Sequence, residues 1–211
     1  MKRFLRKKEK KKKINRIKKV NRNNNVLLNS LFQSKNMYGD LLCSTHKDTL
    51  PFLLGSRQKF SIINLKEVSF FLKRVFKLMQ SILKRRKKIL IIGNHPEIKF
   101  LLNSSFVKKN KNFIFFTDDW VNGFITNRIK NTNWNKVVHY LLKKREIQLI
   151  LIIKNSIDGD FLNKELATLR IPIISLIGTD QSLKHVQYPI LTNLKNIQSI
   201  YILMYFFRKL F

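Results

Sequence analysis

The sequence predicts a doubly wound α/β domain built on a mainly parallel sheet. Short apolar runs, such as KILIIG, NFIFF and IQLILII, alternate along the chain with segments of helical periodicity. Strands that are separated in this way by single helices are typical of parallel β-α-β units. A length of 211 residues and a hydrophobic content of 44% are sufficient for one domain with a real core.

The first half of the domain contains one long helical pattern. Residues 26–32 are predicted to form a short helix, 37–58 to be irregular, and 60–65 (FSIINL) to form a strand. A helix is predicted over 66–86, because apolar residues recur there at helical spacing. These apolar residues are Val68, Phe71, Val75, Met79, Ile82 and Leu83, and the opposite face carries Lys73, Arg74, Lys77, Lys84 and Arg85.

The second half continues the alternation of strands and helices. Strands are predicted at 88–93, 112–116, 147–153 and 171–178. Helices are predicted at 96–107, 133–144 (with Val137, Leu141 and Leu142 facing inward), 158–170 and 194–208. This order predicts a sheet of the flavodoxin or Rossmann type, covered by helices on both faces.

The first 25 residues have a different composition from the rest. Thirteen lysines and arginines occur up to Arg22, with Glu9 as the single acid. Such a block repels itself and is expected to be disordered until it meets a polyanion. We therefore predict a basic N-terminal extension (1–25) and a single α/β domain (26–211). A solubilising tail is the alternative to a nucleic-acid-binding arm, whereas the lysine bias and the lack of serine argue against a mitochondrial presequence.

The charge of the chain favours a polyanionic partner. There are 43 lysines and arginines against 12 aspartates and glutamates, which gives a formal charge of +31. Without the extension, 30 basic and 11 acidic residues remain, so the domain itself is basic. Nucleic acid fits this surplus because each neutralised phosphate releases counterions, and an acidic membrane surface is the alternative. No apolar run approaches the roughly 18–20 residues of a membrane span.

The sequence contains no motif that indicates catalysis or a cofactor. The loop after KILIIG is NHPE, without a G-x-G-x-x-G pattern, and no phosphate-binding or nucleophile-elbow motif occurs. Adjacent Asp118 and Asp119 would point apart on an extended loop, while Asp180 stands alone after its predicted strand. Cys43 is the one cysteine, and the four histidines lack ligand spacing. We predict no catalytic residues, no metal ion and no cofactor.

Six motifs follow one another in an order that resembles small-subunit ribosomal protein S2. They are MYGD (37–40), PFLLGSR (51–57) with SIINL (61–65), LIIGNH (90–95), DWVNGFITN (119–127), LRIPIISLIGTDQS (169–182) and YPILTN (188–193). The family counterparts of the first and fourth are His-Phe-Gly-His and Arg-Trp-Leu-Gly-Gly-x-Leu-Thr-Asn. Trp120, Gly123, Thr126 and Asn127 match that fourth, signature motif. The resemblance runs from about Val26 to Phe207.

This chain also departs from the family pattern. Met37 and Asp40 replace the two histidines, Asp119 replaces the signature arginine, and Asn122 replaces its first glycine. The helical hairpin that the family usually inserts after the signature is reduced to the span 128–146. This trimming, with heavy use of lysine, asparagine, isoleucine and phenylalanine, whose codons are A/T-rich, favours an organellar member. We expect a mitochondrial rather than a plastid protein.

The resemblance implies a structural, non-catalytic protein of the small ribosomal subunit. Its expected partners are small-subunit rRNA and neighbouring ribosomal proteins, with no small-molecule substrate and no membrane span. Two alternatives from other classes are an RNA-modifying or nucleotide-binding α/β enzyme with a degenerate glycine loop, and a membrane-surface protein that uses the basic extension.

Candidate RNA contacts are basic residues, because phosphate groups dominate such interfaces. In the extension they are Lys7, Lys8, Lys11, Lys12, Arg16, Lys18 and Lys19, and in the domain they are Arg57, Lys59, Arg74, Arg85 and Arg86. In the signature loop, Trp120 is expected to pack, Gly123 to permit a tight turn, and Thr126 and Asn127 to cap backbone groups.

Overall fold

Two β-sheets and four labelled helices make up the described part of the protein. The computed structural model describes residues 26–93, 112–116, 120, 123–125, 138, 140–142, 144–153 and 159–208. The predicted extension at 1–25, the predicted helix at 96–107, and Asp118, Asp119, Thr126 and Asn127 lie outside these residues.

The described elements follow in chain order. They are helix α1 (26–33), β1 (Tyr38–Leu41), two 3-10 helices (Leu42–Ser44 and Lys47–Phe52), β2 (Leu53–Arg57), β3 (Phe60–Ile63), α2 (Leu65–Lys84), β4 (Lys88–Ile92), β5 (Phe113–Phe116), β6 (Ile147–Ile152), α3 (Gly159–Ala167), β7 (Ile173–Ile177), β8 (Tyr188–Leu191) and α4 (Ile197–Arg208). Residues 138 and 140–142, just before β6, are also helical.

The large sheet is parallel and has five strands in the order β5-β4-β6-β7-β8. Numbered within this sheet, the order is 2-1-3-4-5, which is the flavodoxin-like arrangement. The prediction of a mainly parallel, doubly wound sheet is therefore confirmed. The near-continuous isoleucine and leucine of β4, β6 and β7 suit strands that are buried on both faces.

Each face of the large sheet packs against its own apolar layer. On one face, Ile89 and Leu151 contribute to a core with residues of α1, α2 and α4, and Phe76 of α2 lies 5.7 Å from Phe207 of α4 between ring centres. On the other face, Leu90 and neighbouring strand residues pack with α3, the helical residues before β6, and the signature-loop aromatics. Alternating strand residues thus separate the two cores.

Helix α2 has the predicted amphipathic pattern with a small rotation. Four of the residues predicted to face the core are buried, namely Val68, Val75, Met79 and Ile82. Leu72 is also fully buried, whereas Phe71, which was predicted to face the core, is half-buried. The helix begins after Asn64, whose side-chain oxygen accepts a 3.1 Å hydrogen bond from the Lys66 amide.

The small sheet was not predicted. Residues 37–58, expected to be irregular, contain β1, two 3-10 helices and β2, and these strands flank β3 in the antiparallel order β1-β3-β2. The expected strand at 60–65 therefore belongs to a hairpin and not to the parallel sheet. In chain order, the segment 113–116 is therefore the second strand of the large sheet, and it lies at the edge beside β4.

Two boundaries near the C-terminus also differ from the expectation. Residues 188–191 form β8, an edge strand parallel to β7, and the last helix begins at Ile197 instead of about 194. Pro189 obscured β8, since proline is tolerated in strands mainly at sheet edges.

The predicted helix at 133–144 matches helical residues 138 and 140–142. Leu141 is buried and Leu142 is half-buried there, and Val137 is not described.

Several helices end in a basic residue with left-handed backbone geometry, where glycine is usual. Lys35 after α1, Arg86 after α2, Arg145 before β6 and Arg170 after α3 have φ of 52–56°. Backbone hydrogen bonds close these turns, as from the Lys87 amide to the Ile82 carbonyl (3.3 Å). A side chain in this geometry costs roughly 1–2 kcal/mol relative to glycine.

Candidate nucleic-acid interface

The signature loop is anchored by its tryptophan. Trp120 is only 3% exposed, and its ring centre lies 4.6 Å from that of Phe124 and 5.4 Å from that of Phe116. Gly123 has φ of 85°, a conformation that favours glycine. These residues form a packed aromatic cluster on one face of the large sheet, so Trp120 is not available to stack on a nucleic-acid base.

A buried carboxylate that the sequence analysis missed holds this loop in place. Glu165 of α3 accepts hydrogen bonds from the indole Nε1 of Trp120 (2.9 Å) and from the amide of Ile125 (2.6 Å). The sequence does place this glutamate among the apolar residues of α3, which could have identified it. A buried acid in a helix is usually paired or hydrogen-bonded to a specific group. The loop is thus fixed by side-chain contacts to α3.

A second polar cluster joins the small sheet to the carboxyl end of β7. The hydroxyl of Thr179 accepts a 2.7 Å hydrogen bond from the Asp40 amide, and the Ser61 hydroxyl donates to the Asp40 carbonyl (2.9 Å). The backbone of Thr179 also accepts a 2.9 Å bond from the His46 amide. MYGD and the GTD of residues 178–180, far apart in sequence, therefore meet at the edge where such sheets usually bind ligands.

Two carboxylates and one lysine interact in this cluster. Lys195 forms an ion pair with Asp40, and this hydrogen bond raises the pKa of Lys195. Burial, followed by the nearby Asp40 carboxylate, raises the pKa of Asp180. Asp180 was expected to stand alone, but the structure places it beside Asp40 and Lys195. The cluster holds two elements together, and no group of three potential metal ligands occurs among the described residues.

Two of the predicted RNA contacts lie at the tip of the β2–β3 hairpin. Arg57 ends β2 and Lys59 forms the turn, and both side chains are exposed. Gln58 and Lys59 have φ of 49° and 69°, as in the two-residue type I′ turn that suits the twist of a hairpin. The tip therefore projects a pair of cations away from the core.

The other predicted contacts of the domain lie along α2. Arg74 is exposed and its guanidinium lies 5.3 Å from the centre of the exposed Phe70 ring. Arg85 and Arg86 follow the last residue of the helix and are also exposed. The structure does not gather the five predicted domain residues into one patch, because they lie on the hairpin, the middle of α2 and its end.

Arg145 and Arg170 lie at the same edge of the large sheet as Arg85, and the sequence analysis did not select them. Both are exposed and precede strands β6 and β7, as Arg85 precedes β4. Since β4, β6 and β7 are adjacent and parallel, their amino-terminal ends share one edge of the sheet. A basic residue shortly before each central strand was the signal that could have found them.

Few of the described cations have acidic partners. Within the described ranges, the lysine and arginine ion pairs are Lys88 with Glu146 (2.8 Å) and Lys195 with Asp40. The hydrogen bond from Lys88 lowers the pKa of Glu146. The positive surplus is therefore carried mainly by solvated side chains, whose charge remains available to a partner. No helix in the described part is long and apolar enough to cross a bilayer.

Comparison with known proteins agrees with this architecture. A profile of the family described as "Ribosomal protein S2" matches residues 31–149 and 130–209. The small ribosomal subunit protein uS2m of Marchantia polymorpha is 22% identical over 213 residues, covering 85% of this chain and 89% of the relative.

Two further relatives have the same kind of name. The uS2m protein of Schizosaccharomyces pombe is 26% identical over 157 residues, covering 69% of this chain and 59% of the relative. The small ribosomal subunit protein uS2 of Spiroplasma citri is 24% identical over 188 residues, covering 72% and 52% respectively. With a family match over most of the described domain, and a parallel sheet of the predicted type, the chain belongs to the ribosomal protein S2 family.

Proposed function

We propose that the protein is a structural constituent of the small subunit of a mitochondrial ribosome, where it binds small-subunit rRNA and neighbouring ribosomal proteins. It performs no catalysis in this role. Family membership supports the ribosomal part of the proposal, and the uS2m relatives, which are mitochondrial members of the family, support the organelle.

The observation that carries RNA binding is the excess of exposed cations without acidic partners. On the outer side of α2, Arg74 and Lys77 are exposed, and no described carboxylate pairs with them. Association with RNA phosphates would neutralise these charges and release condensed counterions, which is favourable at moderate salt. The predicted contacts in the extension lie outside the described residues and remain part of this proposal.

Sedimentation provides the direct test. The tagged full chain is expressed in its own organism, and organelle lysates are separated on sucrose gradients at low magnesium, which dissociates the two ribosomal subunits. We expect the protein to follow the small-subunit rRNA through the gradient. A pool confined to the ribosome-free fractions, or one that follows the large subunit, would contradict the proposal.

Calorimetry separates this function from the enzyme alternative. The purified chain is titrated with nucleotides and with S-adenosylmethionine, the cofactors that an α/β enzyme of this architecture would use. We expect no saturable heat from either. Stoichiometric binding would favour an RNA-modifying or nucleotide-binding enzyme over a structural protein.

A further inference from the structure

We propose that a groove at the amino-terminal edge of the large sheet binds an unpaired nucleotide of the small-subunit rRNA, with phosphates at Arg85, Arg145 and Arg170 and the base on the apolar floor. This inference rests on the proposed function, and it adds a specific site and a mode of contact. The groove lies at the edge opposite the crevice that open parallel sheets usually use for ligands.

The geometry of the groove follows from the parallel topology. Its volume is about 730 Å³, and it lies where three helical segments turn into β4, β6 and β7. Each turn contributes one arginine. The remaining lining residues are Leu78, Ser81, Ile82, Leu142, Ile147, Gln148, Leu169, Ile171 and Pro172. The volume lies in the range of about 300–1,000 Å³ of ordinary small-ligand sites, which leaves room for one nucleotide.

The described lining of the groove is positively charged. No aspartate or glutamate occurs among these described lining residues, and none of the three arginines is ion-paired with a described carboxylate. Arginine suits RNA in two ways, because its planar guanidinium binds phosphate oxygens in pairs and can also stack on a base. A site with one apolar wall and several cations thus matches both parts of a nucleotide.

Two of these arginines occupy backbone positions that favour glycine. Arg145 and Arg170 have φ of 52° and 54°, where glycine would relieve strain. A cation at a helix carboxyl end does gain from the helix dipole, by about 0.3–1 kcal/mol per helix. That gain explains one charge at each end, but it does not require the three ends to open onto a common groove.

An unpaired nucleotide fits this groove better than a duplex or an acidic protein segment. A duplex presents phosphates on a convex surface and keeps its bases stacked inside, so it could not cover an apolar floor. Unstacked bases in single-stranded loops are the usual targets of specific RNA recognition. RNA is preferred over an acidic protein segment because the proposed function already brings the chain into contact with rRNA, and because guanidinium groups above an apolar floor match both the phosphate and the base of a nucleotide.

The positive φ values permit a test that separates binding from folding. The double variant Arg145→Gly/Arg170→Gly removes two cations at positions where glycine is the preferred residue. We expect its midpoint of urea unfolding to equal or exceed that of the unmodified protein. Its affinity for a transcript of the complete small-subunit rRNA should fall on the order of tenfold, and its salt slope should decrease by about 1.4–1.8.

Lys35→Gly is the matched control. Lys35 has the same backbone geometry (φ of 56°) after α1, but it does not line the groove. This variant should relieve similar strain and keep nearly the full affinity. Arg85→Gln is a second groove variant at an ordinary helix end, for use if the glycine variant folds poorly, and it should weaken binding in the same direction.

The outcomes distinguish the groove from the general function. Unchanged affinity and salt slope in the groove variants, or a loss no larger than that of Lys35→Gly, would overturn the groove while leaving rRNA binding intact. Failure of the unmodified protein to bind the transcript would instead overturn the proposed function. In assembled subunits, benzoylphenylalanine at position 81 should cross-link to rRNA, and a cross-link to a protein alone would overturn the nucleotide assignment.

Discussion

The indole Nε1 of Trp120 donates a 2.9 Å hydrogen bond to the carboxylate of Glu165, across 45 positions of sequence. The other carboxylate oxygen accepts from the Ile125 amide at 2.6 Å. One buried side chain of α3 therefore satisfies two donors on the signature loop. Since Glu165 is 8% exposed, losing it would leave both donors in an apolar cluster without this acceptor.

Replacing Glu165 should destabilise the protein strongly. Each of the two abandoned donors costs about 1–3 kcal/mol, so we expect Glu165→Ala to lower the free energy of unfolding by about 2–6 kcal/mol. Glu165→Gln keeps one acceptor and should cost less. Urea unfolding followed by tryptophan fluorescence measures both. The exposed neighbour Lys164 provides the control, Lys164→Ala, and an equal loss in that variant would show that Glu165 has no special role.

The sequence predicted the apolar core well, but it did not predict the role of Glu165. Apolar runs such as LILII (149–153) are local signals, and they identified β4, β6 and β7. The strands YGDL (38–41) and YPIL (188–191) lack such runs, because edge and half-exposed strands depend on distant partners. The partners of Asp40 and Glu165 are equally non-local, so composition and spacing could not identify them.

The same limit applies to the candidate interface. Arg85 was selected because it lies on the basic face of a helix, which is a local pattern. Arg145 and Arg170 share its edge only because β4, β6 and β7 are neighbours in the sheet. Their positive φ values also depend on the complete helix-to-strand turns. Strand order is therefore the information that converts three separate arginines into one groove.

Gly39 should not tolerate a side chain. A Cβ at this position would lie 2.6 Å from the Thr179 methyl carbon and 2.8 Å from its hydroxyl oxygen. We expect Gly39→Ala to cost about 1–3 kcal/mol, because the small sheet and β7 would have to separate. Chemical denaturation measures the loss, and Ser56→Ala on exposed β2 is the control. Unaltered stability in Gly39→Ala would mean that the two sheets are not tightly coupled here.

Asp180 should make stability depend on pH in the direction opposite to that of an aspartate whose pKa is lowered in the folded state. Its pKa is raised by burial and by Asp40. A raised carboxyl pKa contributes stability at a pH below the pKa of the unfolded chain, and this contribution disappears as the pH rises through the folded pKa. Asp180→Asn should therefore be more stable than the unmodified protein near about pH 7, and the difference should vanish near about pH 3.

Urea unfolding of both proteins at several pH values tests this expectation. Carboxyl groups that do not interact with Asp180 contribute equally to both proteins. Asp40 does interact with it, and the loss of this like-charged neighbour in the variant acts in the same direction. A stability difference that is independent of pH, or that favours the unmodified protein near about pH 7, would contradict the expected sign.

Lys59→Gly should stabilise the β2–β3 hairpin and weaken binding to small-subunit rRNA. The φ of 69° in the type I′ turn is strained for lysine and free for glycine, so we expect a gain of up to about 1 kcal/mol in the free energy of unfolding. The same change removes an exposed cation, so affinity for small-subunit rRNA should decrease. Thermal unfolding and filter binding measure the two effects. If affinity does not change, Lys59 is not an RNA contact.

Removal of residues 1–24 should reduce the salt dependence of rRNA binding more than any single substitution in the domain. This segment contains thirteen lysines and arginines and one glutamate. Each phosphate contact contributes roughly 0.7–0.9 to the slope of log affinity against log salt, so the loss of several contacts flattens that slope. Binding to a small-subunit rRNA transcript is measured over a series of salt concentrations for both chains. Because the domain keeps a surplus of 30 basic over 11 acidic residues, residual binding is expected. An unchanged slope would exclude the extension from the RNA contacts and assign the salt dependence to the domain alone.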